Sequence, residues 1–98
     1  MKLNLKFGSN LTREGDKNKD LEEFINVFLG VKSKEEMEDF LRGILTAKEL
    51  LELPNRLKII RMLKKGISQH EIAGDLKVGV ATVTRGSKEL QSGRFKNV

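Results

Sequence analysis

The sequence predicts an all-α fold, and three observations carry that prediction. From Leu21 onward, apolar residues recur at the three- and four-residue spacing of amphipathic helices. Successive segments open with Ser or Thr followed three residues later by Glu, which is the capping-box signature of a helix start. Gly30 and Gly66 stand where two of these segments end. We therefore expect a small domain of helices joined by short turns.

The composition limits the kinds of site that the chain can form. Its 98 residues are 38% hydrophobic and 34% charged, which suits one small helical domain. The absence of Cys excludes disulfides and thiolate nucleophiles, and the single histidine, His70, excludes a multi-histidine metal site. The sequence shows no paired carboxylates, nucleophile–base pair or phosphate loop. We expect neither catalysis nor a metal or resident cofactor.

Charge is distributed unevenly along the chain. Residues 1–55 hold nine Lys or Arg and eleven Asp or Glu, for a formal charge of −2, whereas residues 56–98 hold ten and three, for +7. A basic half points to a polyanionic partner, of which nucleic acid is the leading candidate. No apolar run is long enough to span a bilayer, and no signal-peptide pattern is visible. We therefore expect a cytoplasmic protein without a membrane partner.

Two amphipathic helices are predicted in the N-terminal half. The first runs from Asp20 to Gly30, and the second begins behind a capping box formed by Ser33 and Glu36. Their apolar faces are Leu21, Phe24, Ile25, Phe28 and Leu29 in the first helix, and Met37, Phe40, Leu41, Ile44 and Leu45 in the second. These faces exceed what one small domain can cover, so we expect a homodimer.

A third helix is predicted to open at a capping box formed by Thr46 and Glu49. Pro54 leaves two alternatives, because either this helix stops near Leu53 and a new one starts at the proline, or one longer helix is kinked there. The stretch that follows has an apolar side and a basic side. The residues expected to face inward are Leu57, Ile60 and Leu63, and those expected to face outward are Arg56, Lys58, Arg61, Lys64 and Lys65.

Residues 68–90 fit a helix-turn-helix. Ser68 and Glu71 form a third capping box, and Ala73 stands where a second helix must approach closely. A new helix begins after Gly79, and its inward residues are predicted to be Val80 and Val83. In the first helix of the motif, the residues predicted to face inward are Ile72 and Leu76. The turn contains Lys77 where such motifs usually have glycine, so either Lys77 takes a left-handed backbone or Gly79 moves the turn.

The second helix of such a motif enters the major groove with its N-terminal end towards the bases. The residues predicted to face the bases there are Gly79, Val80, Ala81, Thr82 and Thr84, and further DNA contacts are predicted at Ser68, Gln69, His70 and Lys88. Most of these side chains are small, so readout would depend on methyl contacts, backbone groups and water. An ordinary helical hairpin with an exposed polar face is the alternative.

Three parts of the chain are predicted on this basis. Residues 1–16 form a flexible arm, residues 17–91 form the helical dimerisation and helix-turn-helix domain, and residues 92–98 form a short basic tail that we expect to be disordered.

Three stretches carry a family resemblance: LTAKELLEL at 45–53, NRLKIIRMLKKG at 55–66 and ATVTRGSKEL at 81–90. Over residues 45–91 the sequence resembles the tryptophan repressor family, and the run ATVTRGS is more specific to that family than to helix-turn-helix proteins in general. The resemblance implies an intertwined helical homodimer that binds L-tryptophan as corepressor and then a double-stranded DNA operator. It further implies a sequence-specific transcriptional repressor of tryptophan-related genes.

The resemblance also implies a ligand site. Arg56 and Arg85 would lie against the two faces of the indole, Arg85 would also pair with the carboxylate, and Gly86 follows it as the family pattern requires. Thr46 of the partner subunit would help to hold the carboxylate. Glu89 replaces a serine at the position that meets the ligand ammonium. The chemistry agrees with these roles, because an arginine can both stack on an aromatic plane and fork to a carboxylate.

Several alternatives remain open at the level of sequence. Glu89 either pairs with the ammonium or forms a salt bridge to Arg85 or Lys88 and closes the pocket. The two arginines could instead contact phosphate or solvent, and Thr46 could serve only as a helix cap. His70 stands where the family sends an arginine to a guanine, so the operator sequence does not carry over. Competing functions are a regulator that is ligand-independent or senses another small molecule, and a protein–protein adaptor, against which the basic half argues.

Overall fold

The computed structural model describes the backbone of residues 14–98 and side chains from residue 17 onward. The described residues form five helices and contain no strand, which confirms the all-α prediction. The helices are α1 (Glu14–Gly30), α2 (Lys34–Ile44), α3 (Ala47–Lys64), α4 (Gln69–Leu76) and α5 (Val80–Gln91). Most of the predicted arm, residues 1–13, lies outside the described residues. Residues 14–16 form the start of α1, which therefore begins before the predicted Asp20.

The described residues divide into two compact units, one that ends at Leu41 and one that begins at Arg42. In the first unit, three phenylalanines form an aromatic cluster. The Phe28 ring makes edge-on contacts with Phe24 and Phe40, at centroid distances of 5.0 Å and 5.4 Å. Ser33 Oγ accepts a hydrogen bond from the Glu36 N–H at 3.0 Å, as predicted, but the Glu36 carboxylate returns to the N–H of Lys32 at 3.1 Å. The first hydrogen bond of the predicted capping box therefore forms, whereas the second one goes to the N–H of Lys32 and not to that of Ser33.

The second unit has its core where α3, α4 and α5 pack together. The fully buried side chains there are Ile59, Ile72 and Val83, and Ala73 lies at the helix crossing. Leu57 and Val80 were predicted to face inward, and both predictions are wrong, because 40% and 39% of these residues are exposed. The buried strip of α3 is rotated towards Ile59, and Val80 lies at the first residue of α5, ahead of the turn that packs.

Helix α3 runs without a break through Pro54. The alternative of one longer helix is therefore correct, and the alternative of two helices is wrong. Its N-terminus has the complete predicted box: Thr46 Oγ1 accepts from the Glu49 N–H at 3.1 Å, and Glu49 Oε1 accepts from the Thr46 N–H at 2.9 Å. The helix ends at Lys64, followed by Gly66 at a φ of +84°.

The turn between α4 and α5 is a left-handed C-cap. Lys77 has φ 56° and ψ 48°, and its N–H donates to the carbonyl of Ala73. Gly79 has φ −70° and ψ 147° and serves as the extended N-cap of α5. The alternative in which Gly79 moves the turn is therefore wrong, and Lys77 carries the left-handed conformation that costs a non-glycine residue about 1 kcal/mol.

Candidate nucleic-acid interface and ligand pocket

Helices α4 and α5 form the predicted helix-turn-helix, and local capping fixes the start of the first helix. Ser68 is the N-cap of α4, and its Oγ accepts from the Glu71 N–H at 3.2 Å, which is one of the two bonds of the predicted box. Thr84 Oγ1 donates to Gln69 Oε1 at 2.7 Å, so a part-buried hydrogen bond joins the two helices. Two of the predicted DNA-contacting residues therefore bond to each other.

The remaining predicted DNA contacts lie on the surface. The exposed members of the set are Ser68, His70, Gly79, Val80, Ala81, Thr82 and Lys88, while Gln69 and Thr84 are half-buried. The N-terminal end of α5 thus presents a backbone with small side chains, as the sequence indicates. An incoming macromolecule can approach this helix end closely, because few side-chain atoms stand in front of it.

The basic residues of α3 are exposed as predicted, but one of them is already engaged. Lys64 Nζ donates to the carbonyl oxygens of Phe95 and Val98, the latter at 3.4 Å. The neighbouring Lys65 is exposed at the C-cap of the same helix. The two lysines therefore differ in what they can offer to a phosphate.

A cavity of about 450 Å³ opens between α3 and α5. Arg56 contributes to it from α3, and Arg85, Gly86 and Glu89 contribute from α5. The other lining residues are Leu53, Leu57, Ile59, Ile60, Thr82 and Phe95. Four of the five predicted ligand residues thus surround one cavity, whose size falls in the usual range for small-molecule sites. Thr46, which the resemblance assigns to the partner subunit, does not line it.

Gly86 sets the distance between α5 and α3 at this cavity. A Cβ placed on it would lie 3.3 Å from Ile59 Cγ2 and 3.3 Å from Ile60 Cδ1. Both isoleucines are buried and have little room to move. The glycine therefore allows the two helices to approach each other directly beside Arg85.

Glu89 has a partner that the sequence analysis did not consider. Arg94 Nε donates to Glu89 Oε1 at 3.0 Å, and the two side chains are 72% and 42% exposed. Glu89 is thus paired with Arg94, where the sequence-based alternative expected Arg85 or Lys88. An ion pair this exposed contributes at most about 1 kcal/mol.

Residues 92–98, predicted as a basic tail, form turns that contact α3 and α5. The backbone of this segment turns back from α5, with Gly93 at φ +103°, and brings Phe95 to the cavity and Arg94 to Glu89. Sequence reasoning missed both residues. The available signal was Phe95, the one aromatic residue of the sequence SGRFKNV at 92–98.

Neither a metal-binding cluster nor a membrane-spanning helix is found in the part of the chain that the structure describes. Residues 14–98 contain no cluster of His, Cys, Asp or Glu that could hold a metal ion. None of the helices in that range is long and apolar enough to cross a membrane.

Comparison with known proteins adds a family to this geometry. The family model described as Trp repressor protein matches residues 19–97. A Trp operon repressor homolog of Vibrio campbellii is 36% identical over 75 residues, covering 76% of this chain and 75% of that protein. The uncharacterized protein YerC of Bacillus subtilis is 32% identical over 75 residues, covering 76% and 72%. A Trp operon repressor homolog of Xylella fastidiosa is 32% identical over 77 residues, covering 78% and 84%.

The matched region contains all five helices except the first turns of α1. It includes the helix-turn-helix, the cavity and the folded segment behind α5. The chain belongs to the Trp repressor family, a family of transcription regulators and not of enzymes.

Proposed function

We propose that this protein is a sequence-specific DNA-binding transcriptional repressor, acting as a homodimer, whose corepressor is L-tryptophan. The observation that carries the proposal is the cavity that brings Arg56, Arg85, Gly86 and Glu89 together directly behind the second helix of the helix-turn-helix. Relatives named as homologs of the Trp operon repressor support the role of a repressor.

The cavity offers the chemistry that a zwitterionic aromatic amino acid requires. Two guanidinium groups can flank an indole by cation–π contact, and the fork of Arg85 matches a carboxylate. Leucine and isoleucine side chains supply apolar wall. Glu89 has one oxygen bonded to Arg94, and its second oxygen is the proposed acceptor for the ligand ammonium. Thr46 of the partner subunit would complete the carboxylate site.

The proposed coupling between ligand and DNA runs through α5. Thr82 lines the cavity and lies in the exposed first turns of the helix that would enter the major groove. A ligand seated between α3 and α5 would hold α5 at one orientation. It increases DNA affinity only if it binds the DNA-competent arrangement more tightly, with the two helix-turn-helix units of a dimer about 34 Å apart.

A homodimer is proposed because the single chain leaves large apolar side chains in water. Leu29 in α1 is 78% exposed and Leu51 in α3 is 73% exposed. Large apolar side chains that are exposed to this extent are typical of a protein–protein interface. Small domains also gain stability by association.

The test is a selection of duplexes from a random pool, followed by anisotropy titrations of the enriched duplex. We expect L-tryptophan to raise the affinity for the enriched duplex, and L-leucine, as the control ligand, to leave it unchanged. Direct binding is measured by fluorescence, because the chain contains no Trp or Tyr and the ligand signal is free of protein background. If no duplex is enriched, the DNA-binding proposal is wrong.

The second candidate is a DNA-binding regulator that works without a ligand or with a different one. The Glu89–Arg94 ion pair favours it, because the position that would meet an ammonium group is already occupied on one side. This candidate predicts an enriched duplex whose affinity is the same with and without tryptophan. It also predicts no heat of binding at millimolar tryptophan.

A further inference from the structure

The segment behind α5 is built into the proposed ligand site. Ser92 Oγ donates to the Glu89 carbonyl at 2.8 Å, and the Arg94 N–H donates to the same carbonyl at 3.2 Å. Lys64, at the end of α3, donates to the Phe95 and Val98 carbonyls from 31 and 34 residues away in the chain. The segment is therefore attached to both helices that form the cavity.

Phe95 is held at the cavity in a conformation that its residue type disfavours. Its φ is 66°, in the left-handed region, which is rare for a bulky side chain. Such a conformation persists where the surroundings over-determine it, and these positions cluster at ligand clamps. At Phe95 the surrounding constraints are the Lys64 bond and the adjacent Arg94–Glu89 pair.

The ring of Phe95 forms a wall of the cavity without filling it. The residue is half-buried and lines the same space as Arg56 and Arg85, and about 450 Å³ remains open with the ring in place. An aromatic wall favours a flat aromatic ligand, because ring pairs gain energy beyond the area that they bury. It also restricts how far a ring can extend on that side of the cavity, because the backbone behind it is held by Lys64.

We propose that Phe95 contacts the ligand and is a specificity-determining residue, which admits an indole and disfavours larger fused rings. This inference rests on the proposed function, because it takes L-tryptophan as the ligand. It adds the segment after α5 to a site that would otherwise be formed by α3, α5 and the partner subunit.

The experiment is isothermal titration of the full chain with L-tryptophan and with L-3-(2-naphthyl)alanine, which has a longer ring system. We expect Phe95→Ala to weaken tryptophan about tenfold, and Phe95→Leu, which keeps apolar bulk, to weaken it less. Phe95→Ala should also lower the ratio of the naphthylalanine Kd to the tryptophan Kd. Lys96→Ala, in the same segment but outside the cavity lining, is the matched control and should keep both affinities. Thermal unfolding of each variant verifies that it is folded.

The possible outcomes separate the inference from the function on which it rests. If wild type binds tryptophan and Phe95→Ala keeps both its affinity and its Kd ratio, the inference is wrong and the proposed function stands. Tighter tryptophan binding by Phe95→Ala would show that the ring blocks the site, which also overturns the inference. If wild type shows no tryptophan binding, the tryptophan-gated function and the inference are both wrong.

Discussion

At the scale of single residues, Arg85 is the side chain on which the proposed ligand site depends most. It lines the cavity beside Gly86, where α5 lies close to α3. One guanidinium would there stack on the ring and also fork to the carboxylate. Losing it removes two interactions at once, whereas most other lining residues would contribute only apolar contact.

We predict that Arg85→Ala weakens L-tryptophan by about 2–4 kcal/mol, because a charge-assisted hydrogen bond and a cation–π contact are lost together. Arg85→Lys should recover little, since an ammonium group neither forks nor stacks as a plane. Isothermal titration measures both variants. Arg61→Ala is the control, because Arg61 is an exposed arginine of α3 that does not line the cavity. Equal losses for Arg61→Ala and Arg85→Ala would contradict the assignment.

Lys77 gives a prediction about stability, because it holds a left-handed backbone without being glycine. We expect Lys77→Gly to raise the free energy of unfolding by about 0.5–1 kcal/mol. The greater conformational freedom of glycine in the unfolded chain reduces this gain. Lys65→Gly is the matched control. Lys65 is also a C-cap, but its φ is −81°, so glycine should bring no gain there. Urea denaturation of both variants decides the question, and a gain at Lys65 alone would refute the argument.

At the scale of elements, the sequence predicted the starts of α3 and α4 better than the start of α1 or the buried faces of the helices. The cap at Thr46 and the first bond of the cap at Ser68 depend on residues three positions apart, so local chemistry predicts them, whereas the left-handed Lys77 was one of two alternatives. Leu57 and Val80 were misplaced because periodicity defines an apolar strip, while the neighbouring helices select which part of it is buried.

Most residues of the candidate ligand site were also predictable from the sequence, but Phe95 was not. Arg56, Arg85, Gly86 and Glu89 came from the family resemblance, and they line one cavity. Phe95 could not be placed, because its position depends on Lys64, far away in the chain. Contacts of that sequence separation leave no local pattern in the amino-acid order.

Helix α1 supports a prediction about association. Leu29 is 78% exposed, and the aromatic contacts of the first unit are made by Phe24, Phe28 and Phe40, so Leu29 is free to serve an interface. We expect Leu29→Asp to shift the protein from dimer to monomer, because a buried unpaired carboxylate is costly. Sedimentation equilibrium measures the dissociation constant. Glu22→Gln, an exposed charge change in the same helix, should leave it unchanged. A wild type that is a folded monomer at micromolar concentration would contradict the dimer.

At the scale of the whole molecule, the basic half of the sequence falls within one of the two compact units. The +7 charge of residues 56–98 lies within the second unit, which also contains the helix-turn-helix. A charge of that size favours association with DNA through counterion release, which makes the affinity dependent on salt.

We predict that DNA affinity falls steeply with salt, with a log–log slope of about −0.9 for each phosphate neutralised. Lys65→Ala should flatten the slope by about 0.9 per lost contact, because its ammonium group is exposed. Lys64→Ala is the paired variant and should leave the slope nearly unchanged, because that ammonium group is bonded to the Phe95 and Val98 carbonyls. Anisotropy titrations across a salt series provide the slopes. A slope near zero for wild type would remove the electrostatic basis of the proposed interface.

The hydrogen bond between Thr84 and Gln69 also restricts the orientation in which Gln69 could meet a base. A glutamine reads adenine by accepting from N6 through its carbonyl oxygen and donating to N7 through its nitrogen. In this protein the Gln69 oxygen already accepts from Thr84 across the helix pair. In the proposed complex the Gln69 oxygen would therefore have one lone pair left for a base, in a direction set by the bond to Thr84. A fork on adenine is then possible only where N6 approaches along that remaining direction, whereas Nε2 can donate to N7 of either purine, to O6 of guanine or to O4 of thymine.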